Sequence, residues 1–90
     1  MGAKHATYPN IVRRLQRADG HLKTIITMIE EGRPCVEIAQ QLQAVQSAIL
    51  NAKKALIHEH MEHCFDRSVG AADAKGRAML QEFRAIAKYL

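Results

Sequence analysis

From Cys35 through Val69 the chain contains no glycine and no proline. A stretch that long, rich in Ala, Gln, Leu and Lys, has one regular solution, a long α-helix, because these residues lose little side-chain freedom there. Within it Cys35, Ile38, Leu42, Val45, Ile49, Ala52 and Leu56 recur at alternating spacings of three and four. That repeat puts apolar side chains on one helix face. A second set, Val36, Ala39, Leu50, Ile57 and Met61, widens the apolar surface beyond one seam. A helix of about 30 residues would be about 45 Å long. A chain of 90 residues has little else to cover such a rod on both sides. The pattern therefore predicts an oligomer in which the long helices pack on each other.

The flanking segments fit an all-α chain. Residues 1–10 read as an arm, with Pro9 near a helix start and Asn10 as a candidate N-cap. Ile11, Leu15, Ala18, Leu22, Ile25 and Ile29 form a helical stripe with the same heptad-like spacing. Gly20 interrupts this stripe at a cost of about 1 kcal/mol relative to Ala. Gly32 is placed to end the helix, and Pro34 suits the first turn of the next. A third, shorter helix is expected from near Asp73, with Leu80, Phe83, Ala87 and Leu90 on one face and the Ser68-Val69-Gly70 region as the hinge before it. Residues 1–90 read as a single domain of three helices, the middle one long. Apolar runs fall far short of the roughly 20 residues of a membrane span, and the N-terminus lacks the apolar core of a secretory signal, so a cytoplasmic location is expected.

The charge is unevenly placed. Residues 1–24 hold five bases (Lys4, Arg13, Arg14, Arg17, Lys23) and one acid (Asp19), a balance of +4. The rest of the chain holds eight bases and eight acids and is neutral. A local basic face suggests a polyanionic partner. There is no Trp, and only four residues are Phe or Tyr, so base stacking on single strands is disfavoured. No triad, phosphate loop or carboxylate pair marks an enzyme.

Two cysteines in a cytosolic chain read as metal ligands or redox thiols. His60 and Cys64 are four residues apart, on adjacent turns of one helix face, about 5–6 Å apart at Cβ, so one ion can reach both. Cys35 lies on the same helix 25 residues before His60, about 38 Å away along a continuous helix at 1.5 Å per residue. It cannot meet Cys64 of its own chain. An antiparallel partner helix solves this: setting position 35 against position 64 puts a two-fold axis near Ile49 and Leu50, in the middle of the apolar stretch. Each of two equivalent sites then takes Cys35 from one protomer and His60 with Cys64 from the other. Two thiolates and one imidazole suit trigonal Cu(I). A fourth ligand, with His5 on the arm the best placed, would favour Zn(II), Co(II) or Ni(II). Two thiols facing across a dimer could also act as a redox or persulfide switch.

These residues give the chain a resemblance to the CsoR/RcnR family of metal-sensing transcriptional repressors. The likeness runs through Arg13-Arg14-Leu15 with Gly20-His21, Pro34-Cys35-Val36, Gln40-Gln41-Leu42 through Ala44-Val45-Gln46, and His60 with Cys64. The Cys–His–Cys set is similar to that of the copper-sensing branch. The resemblance implies a three-helix protomer, an antiparallel dimer and a dimer of dimers. It implies a repressor of double-stranded operator DNA, released when metal binds. Arg14 and Arg17 match basic positions used for DNA, and Arg13 adjoins them. Asn51 stands where copper-sensing relatives often carry Arg, with Lys53 and Lys54 as the compensating cations. Glu82 falls where relatives place a glutamate bonded to the ligand histidine. Nickel- and cobalt-sensing relatives add an N-terminal histidine; here the nearest is His5.

Overall fold

The computed structural model describes residues 8–68 and 74–90, with side chains described through His63 and again from Gly76. Three helices follow in order: α1 (Pro9–Glu30), α2 (Cys35–Ser68) and α3 (Ala74–Ala87). The chain divides into two compact units, Met1–Lys53 and Lys54–Leu90. The first holds α1 and the start of α2; the second holds the remainder of α2 and α3. The expected three helices are present, and α2 extends unbroken over 34 residues. Among the described residues no helix is long and apolar enough to cross a membrane.

The start of α1 differs from the sequence expectation. Pro9 is the first helical residue, and the cap position is Tyr8, in the left-handed region at φ 49°. Pro9 brings its fixed φ and has no N–H to satisfy. The Tyr8 carbonyl accepts from the N–H groups of Ile11 and Val12 at 3.0 and 3.1 Å. Asn10 therefore lies inside the helix, where its Oδ1 accepts from Arg13 Nη2 at 2.6 Å.

The end of α1 follows the expectation. Gly32 takes φ 73°, a conformation that Cβ disfavours and glycine accepts freely. The Arg33 N–H donates to the Met28 carbonyl at 3.0 Å and the Gly32 N–H to the Ile29 carbonyl at 3.1 Å. This paired closure is a Schellman turn, and it satisfies two carbonyls that the helix end leaves open. The chain reverses over a few residues, and the Pro34 carbonyl accepts from Ile38 N–H at 3.1 Å to begin α2. Arg33 and Glu37 close an exposed ion pair across that start, at 2.7 Å.

In the first unit α1 and α2 form a helical hairpin. Its core is Ile11, Ala18, Ile25, Met28, Val45 and Ala52. Ile25 is only 1% exposed, and burying such a side chain contributes about 1.5–3 kcal/mol. Ile11, Ala18 and Ile25 are seven residues apart, as are Val45 and Ala52, so each helix presents one heptad position inward. A bond across the hairpin, His21 Nε2 to Gln41 Oε1 at 2.6 Å, pins the antiparallel register. At that register Ile25 comes level with Ile38, Ala18 with Val45, and Ile11 with Ala52.

The other half of each predicted stripe is not covered by the chain itself. Leu15, Leu22, Ile29, Leu42 and Ile49 are 40–55% exposed, and Cys35 is exposed with them. All but Cys35 follow an inward position by four residues, a turn of about 40° around the helix. In antiparallel helices this rotation carries both rows to the same flank. The hairpin thus has an apolar flank on one side. Arg14, His21, Gln41 and Ala48, each three residues after an inward position, go to the opposite flank by the same geometry.

The second unit is packed differently. Ile57 is its buried residue among those described. On α3, Met79, Ile86 and Ala87 are half-buried, while Leu80 and Phe83, and Leu90 beyond its end, are exposed. Of the expected apolar face, Leu80 and Phe83 are therefore on the outside in the single chain and Ala87 is half-covered.

Candidate metal centre and nucleic-acid interface

Two groups of polar side chains stand out, one in each unit. In the second unit, His60 Nε2 lies 3.0 Å from Glu82 Oε1, joining α2 to α3. The imidazole is largely covered, 22% exposed, and the carboxylate is 57% exposed. A carboxylate can only accept, so the ring donates to it from Nε2. This is the arrangement by which a carboxylate fixes the tautomer and aim of a metal-binding histidine. About one turn further along α2, His63 Nε2 is buried with no hydrogen-bond partner among the described residues. His58 and Glu62 pair at 3.3 Å on the solvent side, where both are more than half exposed.

Cys35 is the first residue of α2 and is an exposed free thiol. The sequence sets it on the inward stripe; the structure sets it on the exposed half of that stripe, in the row of Leu42 and Ile49. The Cys64 side chain and His5 lie outside the described residues. Among the described residues no three His, Cys, Asp or Glu side chains gather into one site. The donors are soft thiol and imidazole, and one imidazole is already oriented, so these residues fit a thiophilic ion.

In the first unit the polar flank of the hairpin holds a cleft of about 310 Å³ lined by Arg14, Arg17, Ala18, His21, Ala48 and Asn51. Arg14, Arg17 and His21 recur at spacings of three and four, a polar stripe beside the apolar one on α1. Other bases nearby are engaged: Lys23 pairs with Asp19 at 3.2 Å, Arg33 with Glu37, and Arg13 with Asn10. Arg14 and Arg17 have no such partner among the described residues. Of the five bases expected to meet DNA, the structure thus brings Arg14 and Arg17 to one cleft. Arg13 is exposed beside them, and Lys53 and Lys54 are exposed on α2. His21 and Asn51 were not singled out by charge, because neither carries a formal one. The signal for His21 was its place on the Arg14, Arg17 stripe.

Residues 7–89 match the family described as metal-sensitive transcriptional repressor. The chain belongs to this family. It is 41% identical over 71 residues to the copper-sensing transcriptional repressor CsoR of Mycobacterium ulcerans, a match covering 79% of this chain and 59% of that protein. It is 37% identical over 70 residues to the copper-sensing transcriptional repressor RicR of Mycobacterium tuberculosis, covering 76% and 73%. It is 35% identical over 65 residues to CsoR of Bacillus subtilis, covering 72% and 64%. The match to the Mycobacterium ulcerans protein thus spans under two thirds of its length. Among solved structures, the nickel-responsive transcriptional regulator InrS is similar, with a TM-score of 0.79 at 26% identity, covering 99% of this chain and 98% of that one. As a member of the metal-sensitive repressor family, this chain has relatives that sense copper and a structural neighbour that responds to nickel.

Proposed function

We propose that this chain is a metal-responsive transcriptional repressor. It binds double-stranded operator DNA in the metal-free form and releases it when Cu(I) is held by Cys35 of one protomer and His60 with Cys64 of its antiparallel partner. The observation that carries the reading is the His60–Glu82 bond, a carboxylate holding in place the histidine that lies four residues before Cys64. The exposure of Ile49 (47%) and Leu50 (43%) supports the same reading. These residues sit where the two-fold axis of an antiparallel pair of α2 helices falls. Covering the row of Leu42 and Ile49 with a second copy brings that copy's α2 alongside Cys35. A dimer is the minimum unit, and the apolar outer face of α3 supports a dimer of dimers. The chain would work in the cytoplasm, where thiols stay reduced.

Bound Cu(I) supplies a low-coordinate bridge between two thiolates and an imidazole. His60 keeps its bond to Glu82 while its other nitrogen is engaged, so α3 follows the position of that ring. Arg14 and Arg17 meet phosphates in the metal-free conformer. Release follows if the ligated conformer holds these arginines in the wrong place, a coupling of about 1–3 kcal/mol being typical. By reciprocity, bound DNA lowers metal affinity by the same factor.

Subunit mixing tests the reading. DNA is selected from a random duplex pool by the metal-free protein, and release is followed by fluorescence anisotropy as Cu(I) is added. Cys35→Ala and His60→Ala are each expected to abolish release. Mixed and re-associated, the two variants should recover part of it, because each mixed dimer contains one complete site. No recovery would overturn the shared site. Release by polysulfide with His60→Ala harmless would instead mark a thiol switch. A second reading, a Ni(II)-responsive repressor, draws on the unpartnered His63 Nε2 and on the likeness to InrS. Intense charge-transfer bands on Ni(II) addition, with weak Cu(I) retention against a chelator, would favour it.

A further inference from the structure

The cleft on the polar flank of the hairpin does not have the lining of a simple phosphate site. Phosphate oxygens only accept hydrogen bonds, so a site built for them alone would present donors. Arg14 and Arg17 do so, and neither guanidinium is engaged within the described residues. Asn51 lines the same cleft. Its carboxamide offers a donor and an acceptor side by side, and neither is bonded among the described residues. His21, also in the lining, is committed through Nε2 to the Gln41 carbonyl oxygen. In the tautomer that donates from Nε2, its Nδ1 is an acceptor. Two acceptors in a cationic cleft repel a phosphate and would go unmatched against one.

We propose that this cleft reads a base edge: Asn51 bonds an adenine in the major groove, with His21 Nδ1 as a further acceptor for an amino proton, while Arg14 and Arg17 hold the flanking phosphates. This rests on the DNA-binding reading given above. Adenine presents N7 as an acceptor beside the N6 amino group as a donor, the complement of a carboxamide. Gln41 is a positioning residue, since its bond to His21 determines which ring nitrogen faces the ligand. Asn51 adds no charge, so its contribution falls on discrimination between sequences, and the arginines contribute salt-dependent affinity.

The experiment compares wild type, Asn51→Ala and Arg14→Ala in selection from a random duplex pool. Binding to the selected duplex and to its single-base variants is then titrated across salt. Asn51 is exposed, so its truncation leaves the fold intact. Asn51→Ala is expected to lose about 5- to 150-fold of discrimination at one A·T pair in each half-site, the range for a bidentate base contact. Its affinity for unselected duplex and its salt slope should match wild type. Arg14→Ala should weaken every duplex alike and make the salt slope shallower by about one per protomer. Gln41→Ala should lose part of the same discrimination as Asn51→Ala. The proposal is overturned if Asn51→Ala keeps full discrimination at every position, or loses affinity equally for all sequences. Failure of wild type to bind any duplex at low salt would overturn the DNA reading itself and this proposal with it.

Discussion

The two units solve the packing problem in opposite ways. The hairpin of α1 and α2 buries six apolar residues by itself, in a heptad register pinned by one polar bond, His21 to Gln41. The unit that carries α3 buries Ile57 among its described residues, and a described link between its helices is the polar contact of His60 with Glu82. The hairpin is therefore a scaffold whose stability comes from its own core. In the unit with α3 the apolar side chains Leu80, Phe83 and Leu90 are exposed. A dense core resists rearrangement, so a change in ligation alters structure more readily outside it.

The sharpest way to break this contrast is to cut the hairpin core. Ile25→Ala removes its largest fully buried side chain and should cost about 2–5 kcal/mol, read from the midpoint of urea unfolding. A loss well under 1 kcal/mol would mean that the hairpin is not the self-sufficient unit. Next comes Glu82→Ala, which frees the His60 ring. It should lower metal affinity about 10- to 100-fold in a competition titration. Because the Glu82 carboxylate is more than half exposed, thermal stability without metal should stay within about 0.5 kcal/mol. An unchanged metal affinity would remove the carboxylate from the site.

Smaller effects probe the hairpin surface. A Cβ on Gly20 would meet nothing within 4 Å, and the residue is inside α1. Gly20→Ala should therefore stabilise the protein by about 0.5–1 kcal/mol, seen as a higher melting temperature. Destabilisation instead would show that a second copy packs against that position. The smallest effect is expected at the exposed Asp19–Lys23 pair, whose side chains are 62% and 74% exposed. Asp19→Ala should cost less than about 0.5 kcal/mol, and the difference should vanish in high salt.

Much of the architecture was legible in the chain because helices are local. The breaker-free run from Cys35 announced α2, and the spacing from Ile11 to Ile29 announced α1. Gly32 carried its own turn, since a left-handed residue at a helix end is a local demand that glycine meets. The cap is Tyr8, two residues before Asn10, because Pro9 starts the helix through its own fixed φ. The spacing of Leu80 and Phe83 marks an apolar face of α3, yet Met79 and Ile86 are its more covered apolar side chains. Periodicity locates an apolar face but does not say whether the same chain covers it.

The candidate site divides along the same line. The spacing of His60 and Cys64 and the distance to Cys35 were readable as lengths along a helix. The pairing of His60 with Glu82 came only from the family resemblance, since no spacing rule links residues on different helices. The meeting of Arg14, Arg17, His21 and Asn51 in one cleft was not legible at all, because it depends on how α1 lies against α2.

What the sequence determined alone is what short-range physics determines: helix extent, helix ends, the heptad rows and the placement of charge. Tertiary structure decided which half of each heptad row the hairpin covers, which helix supplies the partner of His60, and which polar residues share a cleft. The reason is register. Sliding or rotating one helix against another changes none of the local energies that the sequence encodes, yet it changes every contact between them. That choice is made by the shared burial of Ile11, Ala18, Ile25, Val45 and Ala52, and by the bond between His21 and Gln41.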